Sequence, residues 1–329
     1  MNTWAPSVGI IGTGRSAPNL VVTTEELAVM AGVPPAWALE HVGARERRRL
    51  APGERLAWLA VEAASRAVLS THIRTTDIGL IVVATSTPDR VAPSTAAEVA
   101  KALELEVPAF DVNGVCAGFM YALSMAAAFI SSTDAYSELP RYALVIGADA
   151  YSRITDDRRR DNVFFGDGAG AVILSSRVGR GLYLSLGGAR DRVDAFQVPR
   201  GEAFVMNGRQ VSDAAFLHFP AFVRRLVDES GIVQPGRDVD MLLLHQGSRV
   251  LFERLVPYFP NAASRPTHFD RFANMAAASV PFLLDEQVRA GRIDRGDVVV
   301  MAAFGAGWVW GGSVCRWALP KFEVQSSNS

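Results

Sequence analysis

The sequence predicts an α/β protein made of two related halves. Apolar runs of strand length alternate along the chain with longer segments of helical periodicity, which is the pattern of an α/β fold. The order of these segments in the first half recurs in the second, as expected after an internal duplication. The chain has 329 residues, which is enough for one large domain or two fused ones with a substantial core.

The elements of the first half follow one another in a regular order. Residues 8–12 form an apolar run typical of a strand, and residues 54–70 place alanine and leucine on one helical face. Further buried strands are predicted at residues 78–84, 142–147 and 169–174, where apolar side chains dominate. The first half therefore has βαβ-type character.

The second half repeats this order. Residues 238–245 begin with an acid, continue as an apolar strand and end at a polar turn, as residues 77–84 do. A strand predicted at residues 298–303 then corresponds to the one at residues 142–147. A chance similarity between buried strands would look the same, but the shared order favours a duplication.

Composition and charge describe an ordinary soluble globular protein. Hydrophobic residues make up 49% and charged residues 20% of the chain, and the net charge is −1. These values indicate no basic surface for a polyanion, so we expect no nucleic-acid partner. Cys116 and Cys315 are the only cysteines, which argues against a disulfide framework or a cysteine-based zinc site and suits a reducing cytoplasm.

The sequence does not predict a membrane location. Its first residues lack the basic start and apolar run of a secretory signal. The longest uncharged stretch, residues 112–130, is about as long as a membrane span, but Asn113 and Ser124 interrupt it. A helix buried in protein fits this stretch better. We therefore expect a cytoplasmic protein without membrane contact.

Cys116 is the first candidate functional residue. It follows a short extended segment and begins a helical stretch, where the positive end of the helix dipole favours a thiolate. Its small neighbours Gly114, Ala117 and Gly118 leave room for a substrate to reach the sulfur. Such a nucleophilic elbow points to acyl-thioester chemistry. A lone cysteine in an apolar helix is more often a core residue, so the local sequence does not decide.

The predicted duplication brings two residues of the second half towards Cys116. If the halves, residues 1–175 and 176–329, pack face to face, the ends of equivalent strands surround one cleft. His245 ends a buried strand, where α/β proteins bind their ligands, and Asn274 begins the helical segment equivalent to that of Cys116. Considered alone, His245 would be a structural histidine and Asn274 a helix cap.

Several segments, in order and at suitable spacing, carry a resemblance to a known family. They are residues 37–48, 87–94, 111–119, 165–171, 206–209, 245–246, 274–281 and 304–311. Together they resemble the ketoacyl-ACP synthase III group of the thiolase superfamily. The resemblance extends over nearly the whole chain, from Val8 to Trp317.

This resemblance implies a thiolase-like fold of five layers (αβαβα), a homodimer and a catalytic set of Cys116, His245 and Asn274. Cys116 would take an acyl group from acyl-CoA, and malonyl-ACP would then lose CO2 and condense with that group. His245 and Asn274 would stabilise the carbanion, while the backbone N–H groups of Cys116 and Ala306 would form the oxyanion hole. No metal or redox cofactor is implied, and Cys315 is interpreted as a core residue.

The resemblance also assigns substrate-binding residues. Trp37 and Arg159 match positions that contact CoA, and Asn207 belongs to another matching segment expected beside the substrate. Ser248 replaces an asparagine of the pantetheine channel, and His41 replaces an arginine near the CoA phosphates. Because the CoA site is only partly kept, acyl-ACP remains an alternative donor.

The predicted acyl pocket differs from the family pattern at one position. Ala92 stands where relatives commonly have phenylalanine, in a pocket wall that the dimer partner contributes. Each buried methylene is worth about 0.8 kcal/mol, so the smaller residue predicts acceptance of acyl chains longer than acetyl, or of bulky starters. Ala273 and Met275 also replace the usual glycine and threonine on either side of Asn274.

Three functions remain open on the sequence alone. The favoured one is decarboxylative condensation, in fatty-acid initiation or in a specialised polyketide-like pathway, which the departures from the family pattern favour. The second is transfer of the acyl group to an alcohol, amine or carrier thiol without condensation. The third is a catalytically silent subunit of a heteromeric synthase, against which the intact Cys-His-Asn set argues.

Overall fold

The computed structural model describes residues 2–4, 6–131, 141–178, 181–191, 193–233 and 239–320. Asp238, the acid that begins the second-half segment predicted above, lies outside these residues. Over the described ranges, no helix combines the length and the apolar character that crossing a membrane requires.

The strands of the described residues are distributed along the whole chain. They are β1 (Asn2–Trp4), β2 (Gly9–Ser16), β3 (Leu20–Thr23), β4 (Glu46–Arg49), β5 (Ile78–Ala84), β6 (Ala109–Val112), β7 (Tyr142–Ala150), β8 (Asp167–Ser175), β9 (Leu182–Gly188), β10 (Phe196–Gln197), β11 (Val205–Met206), β12 (Val239–Leu244), β13 (Ala262–Ser264), β14 (Val298–Gly305) and β15 (Val309–Arg316).

Two main sheets have the same internal order. The first runs β2-β8-β7-β5-β6 and the second β1-β9-β15-β14-β12-β13. With β1 set aside, the strands correspond one to one, and so do their directions. In each sheet the first two pairings are antiparallel and the next two parallel. This shared topology confirms the predicted duplication, in which β5 matches β12 and β7 matches β14.

The helices alternate with these strands. They are α1 (Thr24–Met30), α2 (Pro35–Val42), α3 (Leu56–Leu69), α4 (Thr95–Ala102), α5 (Gly118–Ser131), α6 (Gly208–Ser230), α7 (Arg249–Leu255), α8 (Phe269–Phe272) and α9 (Ser279–Arg289).

The packing has five layers. Helices α5 and α9 lie between the two sheets, α3 and α4 cover the outer face of the first sheet, and α6 covers the outer face of the second. Because α5 is covered on two sides, it needs apolar side chains around most of its circumference, which explains the uncharged stretch in the sequence. The α/β fold class and its predicted αβαβα layering are confirmed.

The boundary between the halves stays a prediction. The first sheet ends with β8 at Ser175, and β9 of the second sheet begins at Leu182. However, β1 from the start of the chain pairs with β9 and so belongs to the second sheet. A division after residue 175 would therefore separate β1 from the sheet to which it belongs.

Equivalent turns lead into the two central helices. Cys116 lies in a single 3₁₀ turn, Val115–Ala117, and α5 begins directly after it at Gly118. In the second half the turn Ala276–Ala278 precedes α9 in the same way. Asn274 lies just before this second turn, so the duplication places both predicted catalytic residues at helix entrances between the sheets.

Candidate active site

A cavity of about 450 Å³ brings the three predicted catalytic residues together. Cys116 of the first half and both His245 and Asn274 of the second half line it. The cavity is mainly apolar, with a few polar groups, as is usual for a small-molecule site. Its walls also include Trp37, Phe164, Phe165, Arg160, Asp161, Phe196, Met206, Arg209, Phe216, Phe219, Ser248, Arg254 and residues 304–306.

The backbone at Cys116 is strained. Val115, directly before it, has φ +47°, a conformation that is a genuine outlier for a β-branched residue. The backbone N–H of Val115 donates to Oδ1 of Asn113 at 3.1 Å, which helps to hold the turn. Backbone strain of this kind concentrates at functional sites, where the surrounding structure maintains it. The geometry supports the interpretation of Cys116 as a nucleophile at a sharp turn.

The side chain of Asn274 is one of the groups that act on the Cys116 thiol. Burial, together with the nearby Asp149 carboxylate, raises the pKa of the thiol above its ordinary value, although the Asn274 contact and the backbone N–H of Cys116 lower it. The expectation that the helix start favours a thiolate is therefore wrong for the ligand-free protein, because burial outweighs the dipole. The resting thiol is protonated.

His245 follows the carboxyl end of β12, as the sequence predicts. Its backbone N–H donates to the carbonyl of Ala302 in the neighbouring strand β14 at 2.9 Å. Burial lowers the pKa of its imidazole from 6.5 to about 4, so the ring is neutral at neutral pH. Within the described residues its Nδ1 is buried without a hydrogen-bond partner. A neutral ring with a free nitrogen can exchange a proton with a bound substrate.

Asn274 is held on three sides. Its backbone N–H donates to the carbonyl of Phe164 at 3.0 Å, and its own carbonyl accepts from Gly166 at 3.0 Å. Its Oδ1 accepts the backbone N–H of Ala276 at 2.8 Å, which leaves the amide NH2 for Cys116 and the cavity. The preceding Ala273 has φ +55° and ψ −153°, a region that glycine populates almost alone.

The loop after β14 approaches the backbone of Cys116 closely. A Cβ atom on Gly305 would lie 3.1 Å from the Cys116 nitrogen and 3.0 Å from the Ala117 nitrogen. Glycine permits this approach without displacing the neighbouring backbone, and Ala306 then lines the cavity beside Cys116. The predicted pair of oxyanion donors, the N–H groups of Cys116 and Ala306, therefore belongs to adjoining segments, and its catalytic role stays a prediction.

Asp149 is a buried residue of the site that the sequence interpretation missed. Its Oδ1 accepts hydrogen bonds from Thr85 Oγ1, Ser86 N and Oγ, and Thr87 Oγ1, at 2.8–3.2 Å. Its Oδ2 accepts the backbone N–H of Ala277 at 3.0 Å. Burial raises the pKa of this carboxyl from 3.8 to about 6. The only signal for Asp149 in the sequence is its position as an acid near the end of a buried strand.

The predicted substrate-binding residues fall into two groups. Trp37 and Ser248 line the cavity. Trp37 also stacks on His41 with ring centroids 4.7 Å apart, and Ser248 Oγ caps α7 by accepting the N–H of Leu251 at 3.2 Å. Asn207 caps α6 through Gln210 and is not part of the cavity lining. The substrate contacts of Trp37, Ser248 and Asn207 stay predictions.

Arg159 and Ala92 also lie outside the cavity lining. The guanidinium of Arg159 donates to the carbonyl of Phe204 at 3.0 Å and to the Asp161 carboxylate at 2.6 Å. Ala92 is exposed on the connection between β5 and α4. Its predicted role requires a partner subunit and stays a prediction, as does the CoA contact of Arg159.

Comparison with known proteins agrees with the fold. The family model 3-oxoacyl-[acyl-carrier-protein] synthase III matches residues 110–186, and the model of its C-terminal region matches residues 234–317. A beta-ketoacyl-[acyl-carrier-protein] synthase III of Laribacter hongkongensis is 38% identical, with 95% of this chain and 100% of the relative covered.

Solved structures are similar over the same length. The 3-oxoacyl-[acyl-carrier-protein] synthase III of Aquifex aeolicus VF5 superposes with a TM-score of 0.86 at 29% identity, covering 94% of this chain and 100% of that chain. The priming beta-ketosynthase from the R1128 polyketide biosynthetic pathway gives a TM-score of 0.85 at 25% identity, covering 96% and 98%.

Duplicated five-layer architecture and a cysteine at the entrance of a central helix define a thiolase-fold enzyme. Within this class, the match to curated relatives over nearly the full length is decisive. The chain belongs to the beta-ketoacyl-[acyl-carrier-protein] synthase III family, as the sequence segments indicate.

Proposed function

We propose that this protein condenses an acyl group with malonyl-ACP in two steps, using Cys116 as the acyl carrier. The observation that carries the proposal is the shared cavity, which Cys116, His245 and Asn274 all line. The name of the R1128 relative as a priming ketosynthase supports a polyketide-like pathway beside fatty-acid initiation.

The first step loads Cys116. Its sulfur attacks the thioester carbonyl of acyl-CoA, a new C–S bond forms, and the bond to the CoA sulfur breaks. Because the resting thiol is protonated, its proton has to move, and the neutral His245 can accept it and return it to the leaving thiolate. The N–H groups of Cys116 and Ala306 would stabilise the oxyanion.

The second step forms the carbon–carbon bond. The malonyl thioester loses CO2, and its electron pair moves into an enolate. Hydrogen bonds from His245 and the Asn274 amide to the thioester carbonyl stabilise this enolate. The enolate carbon attacks the acyl group, Cys116 leaves as a thiolate and takes up a proton, and a β-ketoacyl product is released.

The charges along the cavity support carriers that bear phosphate or acidic groups. Arg160, Arg209 and Arg254 line the cavity, and Arg254 lies 4.0 Å from the centroid of Phe216. Guanidinium groups bind phosphate oxygens well, and positive surfaces attract acidic proteins. Acyl-CoA, or acyl-ACP, and malonyl-ACP fit such a site.

We further propose that two copies pair through the free edge of the first sheet. In the described residues β6 pairs with β5 on one side only, which leaves its other edge open for a second strand. Exposed apolar side chains lie on the same half, with Val91 88% and Met125 45% exposed. Light scattering should give twice the chain mass of 35.4 kDa. A mass of one chain at assay concentration would contradict the dimer.

Variants that separate the two steps test the proposed function. Cys116→Ala should lose acyl loading but still release CO2 from malonyl-ACP, because the enolate contacts remain. Asn274→Ala should load the acyl group but condense about 10²–10³-fold more slowly. His245→Ala should slow both steps, because His245 also takes the thiol proton during loading. Cys315→Ala, the matched cysteine control, should retain both steps. Loading followed by discharge only onto an added alcohol or amine would instead support simple acyl transfer, and no loading with any donor would support a silent subunit.

A further inference from the structure

Gln246 is a fully buried polar residue that the two proposed steps do not use. It directly follows His245, and its exposed fraction is 0%. It is not part of the cavity lining, so its side chain has no direct access to a bound substrate. A buried amide is stable only when its donor and acceptor groups are hydrogen-bonded. The partners of this amide therefore show what it holds in place.

The amide NH2 of Gln246 holds the backbone on the far side of His245. Its Nε2 donates to the carbonyl of Leu244 at 2.7 Å. Because Leu244 and Gln246 flank His245 in the chain, this bond closes a ring of atoms that contains both backbone torsions of His245. The N–H of His245 is itself bonded to the carbonyl of Ala302 in β14 at 2.9 Å. Two hydrogen bonds thus fix the point from which the imidazole enters the cavity.

The amide carbonyl of Gln246 reaches the segment that carries Asn274. Its Oε1 accepts the backbone N–H of His268 at 3.1 Å, in a buried hydrogen bond between residues 22 positions apart. His268 directly precedes α8, and after this single short helix the chain reaches Asn274. The N–H of Ala273 donates to the carbonyl of Phe269 at 3.0 Å, which ties the residue before Asn274 to the same helix.

The two hydrogen bonds fix the orientation of the Gln246 amide. Its neighbours are a carbonyl of Leu244 and an N–H of His268, so the amide nitrogen must face the first and the amide oxygen the second. The amide is rigid and planar, and therefore neither neighbour can shift without moving the other or breaking a buried bond. One side chain thus connects the backbone of His245 with the segment of Asn274.

We propose that Gln246 is a positioning residue that holds His245 and Asn274 at the separation that the enolate requires. This inference rests on the proposed function, in which both side chains hydrogen-bond to one thioester carbonyl while CO2 leaves. Two donors can share one oxygen only while their relative position is maintained, and a displacement of about 1 Å can slow a reaction by about 10²-fold. Loading uses His245 but not the Asn274 side chain, so it depends less on this separation.

Decarboxylation measured without loading tests this role. In the Cys116→Ala background, CO2 release from malonyl-ACP depends on His245 and Asn274. Gln246→Met removes both hydrogen bonds at similar volume, and we expect kcat for CO2 release to fall about tenfold or more while KM for malonyl-ACP stays within about twofold. An unchanged kcat would overturn the role of Gln246 and leave the proposed function intact. No CO2 release in the Cys116→Ala background would contradict the proposed function, and this inference with it.

Two comparisons separate positioning from a general loss of structure. In a protein with both Cys116→Ala and Asn274→Ala, adding Gln246→Met should slow the remaining CO2 release by less than about twofold, because no pair is left to align. Gln287→Met replaces another buried glutamine, which is 1% exposed on α9 and accepts from Arg292 at 2.6 Å, and should leave CO2 release unchanged. A tenfold effect of Gln246→Met without the Asn274 side chain, or of Gln287→Met, would overturn the inference.

A conservative variant should recover activity as the pH falls. In Gln246→Glu the carboxyl can still accept the N–H of His268, but only its protonated form can donate to the carbonyl of Leu244. Burial favours that form, so CO2 release relative to the unmodified residue at the same pH should rise about fivefold between about pH 8 and about pH 6. A ratio that does not change with pH would overturn the inference. This profile also decides if Gln246→Met does not fold.

Discussion

The carboxylate of Asp149 accepts a hydrogen bond of 3.0 Å from the backbone N–H of Ala277. Asp149 lies next to the last residue of strand β7 in the first sheet, and Ala277 lies in the turn between Asn274 and α9 of the second half. The same carboxylate holds the connection after β5 through Ser86 and Thr87. One buried acid thus links segments of both halves behind Cys116, and it also raises the pKa of the Cys116 thiol.

Replacing this acid should change both stability and thiol reactivity. Asp149→Asn loses acceptor capacity towards several buried donors, so we expect the free energy of unfolding to fall by about 1–3 kcal/mol. Because a nearby negative charge is removed, the pKa of the Cys116 thiol should fall. Denaturant unfolding and the pH dependence of Cys116 alkylation by iodoacetamide measure the two effects.

A second buried acid provides the control for this variant. Asp167 accepts hydrogen bonds from Ser152 and from the N–H of Leu50, and it is not among the groups that shift the pKa of the thiol. Asp167→Asn should therefore cost stability without moving the alkylation profile. If the pH dependence of Cys116 alkylation also stays unchanged in Asp149→Asn, the electrostatic link between Asp149 and Cys116 is contradicted.

Relief of strain at Ala273 should stabilise the protein. Ala273→Gly removes the Cβ atom from a conformation at φ +55° that costs on the order of 1–3 kcal/mol for other residues. Glycine also raises the conformational entropy of the unfolded chain, which offsets part of this relief. We therefore expect the free energy of unfolding to rise by about 1 kcal/mol. Ala278→Gly, at φ −76°, should lose a similar amount. Destabilisation by Ala273→Gly would show that this backbone is not strained.

Gly305 should be essential for loading Cys116. Gly305→Ala places a Cβ atom 3.1 Å from the Cys116 nitrogen and so displaces one side of the oxyanion hole. We expect acylation to slow by about 10²–10³-fold, as when one oxyanion donor is lost. Gly9→Ala, whose Cβ would lie 2.7 Å from the carbonyl of Val178, introduces an even closer contact elsewhere and so controls for strain. Equal loss of acylation in both variants would show that strain alone is responsible.

Buried neutral histidines should make the fold sensitive to acid. Burial lowers the pKa of His245 to about 4 and, with help from Arg271, that of His268 to about 3, from 6.5. Between pH 6.5 and about 4 the unfolded chain therefore binds protons that the folded protein does not, so stability falls as the pH falls. Asp149, with a pKa of about 6, and Asp167, whose pKa burial also raises, act in the opposite sense and offset part of this loss.

Unfolding measured across this pH range tests whether the imidazoles of His245 and His268 are neutral in the folded protein. We expect a loss of a few kcal/mol in the free energy of unfolding between pH 6.5 and 4. His268→Gln should reduce the slope, because it removes one of the two groups. A slope that stays the same in His268→Gln would show that the His268 imidazole is not held neutral.

Much of this architecture could be predicted from the sequence. Predicted strands at residues 78–84, 142–147 and 298–303 are all present, because long apolar runs are needed in sheets covered on both faces. The meeting of Cys116, His245 and Asn274 in one cavity follows from the duplication, since equivalent turns of two equivalent halves face each other.

The surroundings of Cys116 could not be predicted in the same way. Asp149 acquires its role only when Ser86 and Ala277, far apart in the chain, donate to it. The packing of Phe204 against Phe165 beside Cys116 likewise depends on a loop that the sequence does not mark. The direction of the thiol pKa also depends on burial, which sequence position does not reveal. These are tertiary effects without a local pattern.

Peptide-level mass spectrometry of Cys116 tests the central claim most directly. After incubation with acetyl-CoA, the peptide containing Cys116 should carry one acetyl group. When malonyl-ACP is added, the acetyl group should leave Cys116. CO2 and an ACP-bound product that contains the acetyl unit should form at the same time. A protein whose Cys116 remains unmodified while product forms, or whose acetyl group is carried by Cys315, would contradict the account.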